Sequence, residues 1–287
     1  MTARGGVTFG VWAVLTVAAL AHGDLHEQIA SVTAQIQKNP ESAELVLKRA
    51  ELHRVHEDWP GAAADYDRAA QLAPGLAVVH LGRGKMLLSQ GRFDEAKAEL
   101  DKFLAGNSGQ VDGLVTRARS EMKRGNPLAS AVDFARAIAL SPRPEPEYYL
   151  ERAQALAAAG GEHVTEALRC LDDGMAKLGN LPALGLCAIE LEVKRNEFDP
   201  ALSRLERLSA ISPRKEAWLE RRGDILRLAN RPDQAQQAYR QALAAMAALP
   251  ARARETKATA ELQKRLTGKL AEISATATAH AEKQSAQ

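Results

Sequence analysis

Side chains able to hold a metal or act as nucleophiles are few and scattered in this 287-residue chain. His53 and His56 stand three apart beside Glu57 and Asp58, a spacing that puts two imidazoles on one face of a helix and suits a divalent metal. Cys170 and Cys187 are the only cysteines. An even count in an exported chain invites a disulfide between them. Closing that loop would contribute roughly 3 kcal/mol if geometry permits. Both fall in helical stretches, so two reduced, buried thiols are the alternative, and neither has a paired histidine that would make it a nucleophile. Arg49, Arg83, Arg117, Arg152 and Arg222 recur along the chain. They read as ion pairs with neighbours such as Glu51 and Asp224, each worth little, in preference to a track for a polyanion. There is no Gly-rich phosphate loop, no His-Glu-x-x-His and no Gly-x-Ser-x-Gly. No catalytic residue, metal or cofactor is therefore expected.

Such residues need elements to position them, and composition says which kind. Fifty-five alanines stand against 12 aromatic residues. Alanine has the highest helix propensity and lets helices approach closely, whereas sheets favour β-branched and aromatic residues. An all-β fold is excluded. Charge is nearly balanced, 38 Lys+Arg against 36 Asp+Glu, or +2. A nucleic-acid binder would carry a strong basic excess, so none is expected as a partner.

The first 23 residues differ from the rest. Arg4 is the only charge before Asp24, and Val7 to Ala21 is a charge-free run of 15 residues ending near Ala21-His22-Gly23. A basic start, a short apolar stretch and small residues before a cut describe a secretory signal peptide. As a helix the run spans about 22 Å, short of the roughly 30 Å hydrocarbon core. Cleavage near Gly23 is expected, giving a periplasmic or secreted protein that meets the membrane only transiently. An uncleaved anchor is the secondary reading.

The remainder repeats. Arg49-Ala50, Arg83-Gly84, Arg117-Ala118 and Arg152-Ala153 follow one another at steps of 34, 34 and 35, and Arg222-Gly223 follows after 70. Ala62, Ala96, Ser130, Ala167, Ala201 and Ala235 form a second series, and Tyr66, Leu100, Phe134, Leu171, Leu205 and Tyr239 a third. Gly91, Gly125 and Gly160 fall where a first helix must turn. Pro74, Pro142 and Pro213 fall where a second must end. These series resemble the tetratricopeptide repeat (TPR) family. The resemblance implies an all-α, right-handed superhelical solenoid of about six helix-turn-helix units. The fifth, from Pro182, is the least regular, with Ile189 where a small residue is expected. The expected organisation is a signal peptide over 1–23, an N-terminal helix over 24–42, the solenoid over 43–250, a capping helix over 251–273 and a disordered tail over 274–287.

The resemblance also implies a site. In this family the first helix of each unit lines a concave groove. At position 5 stand Leu47, Leu81, Val115, Leu150 and Leu186, with Glu220 in the last unit. At position 9 stand Glu51, Lys85, Arg119, Gln154, Glu190 and Asp224. At position 12 stand Arg54, Leu88, Met122 and Arg227, with Ala157 and Val193 between. An apolar stripe with charged edges suits an extended peptide or an amphipathic helix, although the position-5 leucines could instead be inter-helix core. Relatives that clamp a carboxylate use Lys at position 5 and Asn at position 9, and neither is present. His53 falls where the family buries an aromatic residue, which favours packing over metal binding. The expected function is a non-catalytic, exported scaffold for a protein or peptide partner. The alternative is a component of a cell-envelope complex acting through its convex face or tail.

Overall fold

A computed structural model describes the backbone of residues 9–285 and the side chains of residues 24–275. The expected leader over 1–23 lies outside the residues whose side chains are described. Fifteen α-helices and no strand occur among the described residues, so the all-α solenoid class holds. The chain divides into two compact units that part between Pro144 and Glu145. Pro142, Pro144 and Pro146 stand at that connection, where they remove backbone donors and disfavour helix at the preceding residues.

In the first unit, α1 (Phe9–Lys38) leads into three hairpins: α2 (Ala43–Val55) with α3 (Trp59–Leu72), α4 (Val78–Ser89) with α5 (Phe93–Gly106), and α6 (Val111–Lys123) with α7 (Pro127–Leu140). Val32 and Ile36 of α1 are buried in one core with Val46, Ala50, Ala62 and Tyr66. The second unit holds α8 (Pro146–Ala159), a single 3₁₀ turn, α9 (Val164–Leu178), α10 (Pro182–Lys194), α11 (Phe198–Ala210), α12 (Glu216–Leu228), α13 (Pro232–Ala247), the short α14 (Ala251–Arg254) and α15 (Lys257–Ser285). Leu262 and Leu266 of α15 bury against Leu226, Ala235, Tyr239 and Ala242, so α15 closes the stack. It runs on to Ser285, through the segment read as disordered from 274. Ala275, Ala277, Ala279 and Ala281 of that stretch favour helix.

Five of the six hairpins turn alike. Glu57, Gly91, Gly125, Asn196 and Asn230 have φ between 57° and 81°. The following amide closes a six-to-one bond onto the first helix, as from Asp58 N to His53 O at 2.9 Å and from Arg231 N to Leu226 O at 2.9 Å. This is the Schellman ending, in which a left-handed residue satisfies orphan carbonyls. The fourth hairpin departs from it: Gly160 takes φ +143°, and the 3₁₀ turn over Gly161–His163 absorbs its two extra residues.

Close packing explains the small-residue series. Ala50, Ala62, Ala96, Ala118, Ala153, Ala167, Ala201 and Ala235 are fully buried. At Gly223 an added Cβ would come within 2.2 Å of the Tyr239 ring, so there the backbone itself forms the wall of a ring pocket.

Candidate functional site

In each unit the first helices of successive hairpins are neighbours, α2 with α4 and α4 with α6, then α8 with α10. The face they share is where the groove residues were expected. In the first unit Leu47 and Leu88 are half-buried and pack against the core. Leu81 is half-buried. Val115 is a correction: it is buried at 5% exposure, because its whole side chain is used in packing and none is left to line a surface. Lys85 pairs with Asp112 on the next first helix, and Arg54 with Glu51 in its own helix at 2.9 Å. Arg119 and Met122 are exposed.

The second unit has the more open site. Leu150 and Leu186 are half-buried, and Gln154 and Glu190 are exposed. A cavity of about 540 Å³ lies between α10 and α12, lined by Glu190, Val193, Glu220, Arg221, Asp224 and Leu228 among others. Glu190 accepts from Arg221 at 2.9 Å. At the far edge α15 occupies the remaining positions. Lys269 donates to Glu220 and Asp224, Arg265 to Glu220, and Arg227 pairs with Glu272 at 2.8 Å. Burial would raise the Glu220 carboxyl, but Arg265 and Lys269 hold it below the usual carboxylate range. Glu220 stands at the position-5 register expected of it, whereas sequence reasoning missed Leu228 as a site residue. Leu228 sits one residue beyond Arg227 in the last repeat, and the signal that would have found it was the repeat period itself.

Two position-9 acids are tied from behind. Tyr66 donates to Glu51 at 2.6 Å, and Tyr239 to Asp224 at 2.7 Å. Burial first, then the neighbouring carboxylate, pushes both phenols upward. Each pair joins the second helix of a hairpin to the first and fixes where the acid points. The other four hairpins carry Leu or Phe at the tyrosine position, and their position-9 residues are left without that anchor.

Four of the five recurring arginines find carboxylates on other helices, not those within a turn. Arg49 grips Asp65 with two bonds of 2.7 Å. Arg117 grips Asp133 at 2.7 and 2.8 Å and reaches Asp101 at 2.9 Å. Arg83 bonds Asp67, and Arg152 bonds Glu166 at 2.6 Å. The bidentate grip of Asp133 raises the Arg117 guanidinium further. These are structural fastenings, as the ion-pair reading expected, with different partners. Arg152 keeps a buried Nε with no hydrogen-bond partner among the described residues. Cys170 occupies the place, allowing for the two-residue insertion, where Asp65 and Asp133 stand in their repeats.

Cys170, buried, and Cys187, half-buried, stand as free thiols, the alternative left open beside the possible disulfide. Cys170 lies inside its own hairpin, its Sγ 3.8 Å from the Tyr149 carbonyl. Burial pushes both thiols upward, and a protonated thiol is a poor nucleophile. The two histidines do not converge. His53 Nδ1 lies 2.7 Å from Asp58 Oδ2, out of alignment for a hydrogen bond. His56 meets His26 edge-on, with ring centroids 4.4 Å apart. Among the described residues no group of three or more His, Cys, Asp or Glu could hold a metal ion. No helix among them is long and apolar enough to cross a membrane.

Stacked two-helix hairpins, small residues at the crossings and a face built from first helices define an α-solenoid of the protein-interaction class. The chain carries tetratricopeptide repeats: the tetratricopeptide repeat-like domain family matches residues 155–273 and a tetratricopeptide repeat family matches residues 17–77. No protein of curated function matches the sequence significantly. Among solved structures, it is similar to the C-terminal part of a TPR repeat-containing protein from Cytophaga hutchinsonii, at 14% identity and TM-score 0.63, covering 80% of this chain and 93% of that one. It is also similar to a tetratricopeptide repeat protein from Parabacteroides merdae, at 15% identity and TM-score 0.52, covering 86% and 94%. A third is pilF of Pseudomonas aeruginosa, at 14% identity and TM-score 0.51, covering 70% and 90%. At these identities the likeness is one of fold. Repeat proteins of this fold are generally non-catalytic protein-interaction scaffolds.

Proposed function

We propose that the protein is an exported, non-catalytic scaffold that binds a peptide or protein segment on the face of its first helices. The observation that carries this is the cavity of about 540 Å³ between α10 and α12, at the register the repeats assign to ligand contact. Its apolar lining, Val193 and Leu228 with Ile189 and Ile225, takes apolar side chains. Glu190, Arg221 and Lys194 at the edges fix register and orientation. Because the helices are already stacked, only the ligand must be ordered, which limits the cost of binding. Export rests on the charge-free run from Val7 to Ala21 behind Arg4.

The test is capture of a partner from envelope extract by the purified chain, compared with a Glu190→Lys, Leu228→Lys variant. Both residues are exposed, so helical circular dichroism should be unchanged while capture falls at least tenfold. Equal capture by the variant would remove this face as the site. Mass measurement of the exported protein tests the leader, with a chain beginning near Asp24 expected.

A further inference from the structure

A second site lies away from that face, at the joint between α11 and α12. Its logic comes from the other joints. Where one hairpin meets the next, the arginine of the later first helix takes a carboxylate sixteen residues earlier: Arg83 takes Asp67 and Arg117 takes Asp101. Arg49 and Arg117 also take an aspartate sixteen residues later. Arg222 has neither. The residue sixteen later is the buried Ala238, and Glu206, sixteen earlier, is exposed and makes no ion pair with any described residue. Between them the joint stands open as a pocket of about 140 Å³. Its lining is apolar at Leu202, Leu205, Trp218 and Leu219 and polar at Glu206, Ser209, Lys215 and Arg222, and the Lys215 ammonium is spent on the carbonyls of Ser209 and Ala210.

The size is informative. An apolar cavity of about 150 Å³ admits a benzene molecule, so this pocket matches a phenyl ring. Trp218 offers an aromatic wall, and offset or edge-on ring pairs are favoured beyond the area they bury. Arg222 presents a planar donor fork suited to carboxylates, and the equivalent arginines of this chain are each shown holding one. We infer that the α11–α12 joint is a docking pocket for a peptide segment that presents a phenylalanine ring beside a carboxylate. The ring fills the pocket over Trp218, and the carboxylate takes the place on Arg222 that an internal aspartate takes at the earlier joints. This site does not depend on the first-helix face, so each can fail without the other.

The probe is acetyl-aspartyl-phenylalanine amide, titrated at millimolar concentration into the ¹⁵N-labelled full chain. The Trp218 indole N–H signal, assigned with a Trp218→Phe variant, is the readout. A saturable shift is expected. Acetyl-aspartyl-alanine amide should give none, and acetyl-lysyl-phenylalanine amide should bind at least tenfold more weakly. Arg222→Asp changes an exposed residue and should reverse that preference. Glu206→Gln should tighten the acidic peptide several-fold by removing a competing carboxylate. Absence of a Trp218 shift, or equal binding of the acidic and basic peptides to the native chain, would overturn the assignment.

Discussion

The two units use the same hairpin, but one hairpin of the second unit is fastened with the polarity reversed. In the first, an arginine on the first helix grips an aspartate on the second: Arg49 with Asp65 and Arg117 with Asp133. In the second, the pair of the fifth hairpin is inverted. Glu192 lies on the first helix and Arg204 on the second, 2.8 Å apart and both buried, with Asp172 as a further partner. Burial opposes the Arg204 cation, but the two acids more than offset it and hold the guanidinium further charged. On either side of this inversion the aspartate of the regular pattern is missing. Arg152 meets Cys170 there and takes Glu166 instead, and Arg222 meets Ala238. The regular unit spends its charges on its own joints. The irregular one leaves a cavity on its first-helix face and a pocket at the joint where Arg222 lacks its carboxylate.

The largest effect should come from breaking the inverted pair. Removing one partner leaves the other charge buried, so Arg204→Ala is expected to cost about 3–5 kcal/mol in chemical denaturation. Arg117→Ala, at a more exposed pair, should cost clearly less. Equal losses would mean that the polarity of the fastening carries no energetic difference. A smaller effect should follow from restoring the regular pattern. Cys170→Asp gives Arg152 a carboxylate at the position where Arg49 and Arg117 have one, and is expected to stabilise the second unit by about 1 kcal/mol, the net worth of an added hydrogen bond. A loss of stability there would show that the fourth hairpin has repacked around the thiol.

The smallest effect is one of acidity. Asp101 in the first unit and Glu220 in the second are both depressed: burial raises each, but Lys97 and Arg117, or Arg265 and Lys269, outweigh it. A depressed carboxyl contributes stability that is fully present above its unfolded value, 3.8 for Asp101 and 4.5 for Glu220. That contribution is lost as pH falls through the lower folded value. Acidification below about pH 4.5 should therefore loosen α15 first, read as rising hydrogen exchange along Leu262–Leu270, with α5 following at lower pH. The reverse order would contradict the assignment of these pairs.

Much of this was legible in the chain. The series through Ala50, Ala62 and Tyr66 placed every hairpin, because small residues recurring at a fixed period can only be helix crossings. The acids at position 9 opposite Tyr66 and Tyr239 could have been paired from the same register. The partners of the arginines were missed because Glu51 and Asp224 lie within a turn, whereas the hairpin brings together residues sixteen apart. Val115 was placed on a surface by register alone, and register does not say how far neighbouring side chains close over a position. The division at Pro144 was hidden because the repeat period continues across it. The open joint at Arg222 depends on a missing carboxylate, and a missing residue leaves no motif to read.

The closure by α15 has a consequence for assembly. A stack of like hairpins is a one-dimensional polymer whose next member could as well come from another molecule. Leu262 and Leu266 fill the face that a seventh hairpin would use, and Lys269 and Arg265 occupy the acids beside it. The helix thus serves as a chain terminator. A molecule trimmed before Lys257 would present a sticky end, and the number of hairpins in a particle would then be set by concentration instead of by sequence.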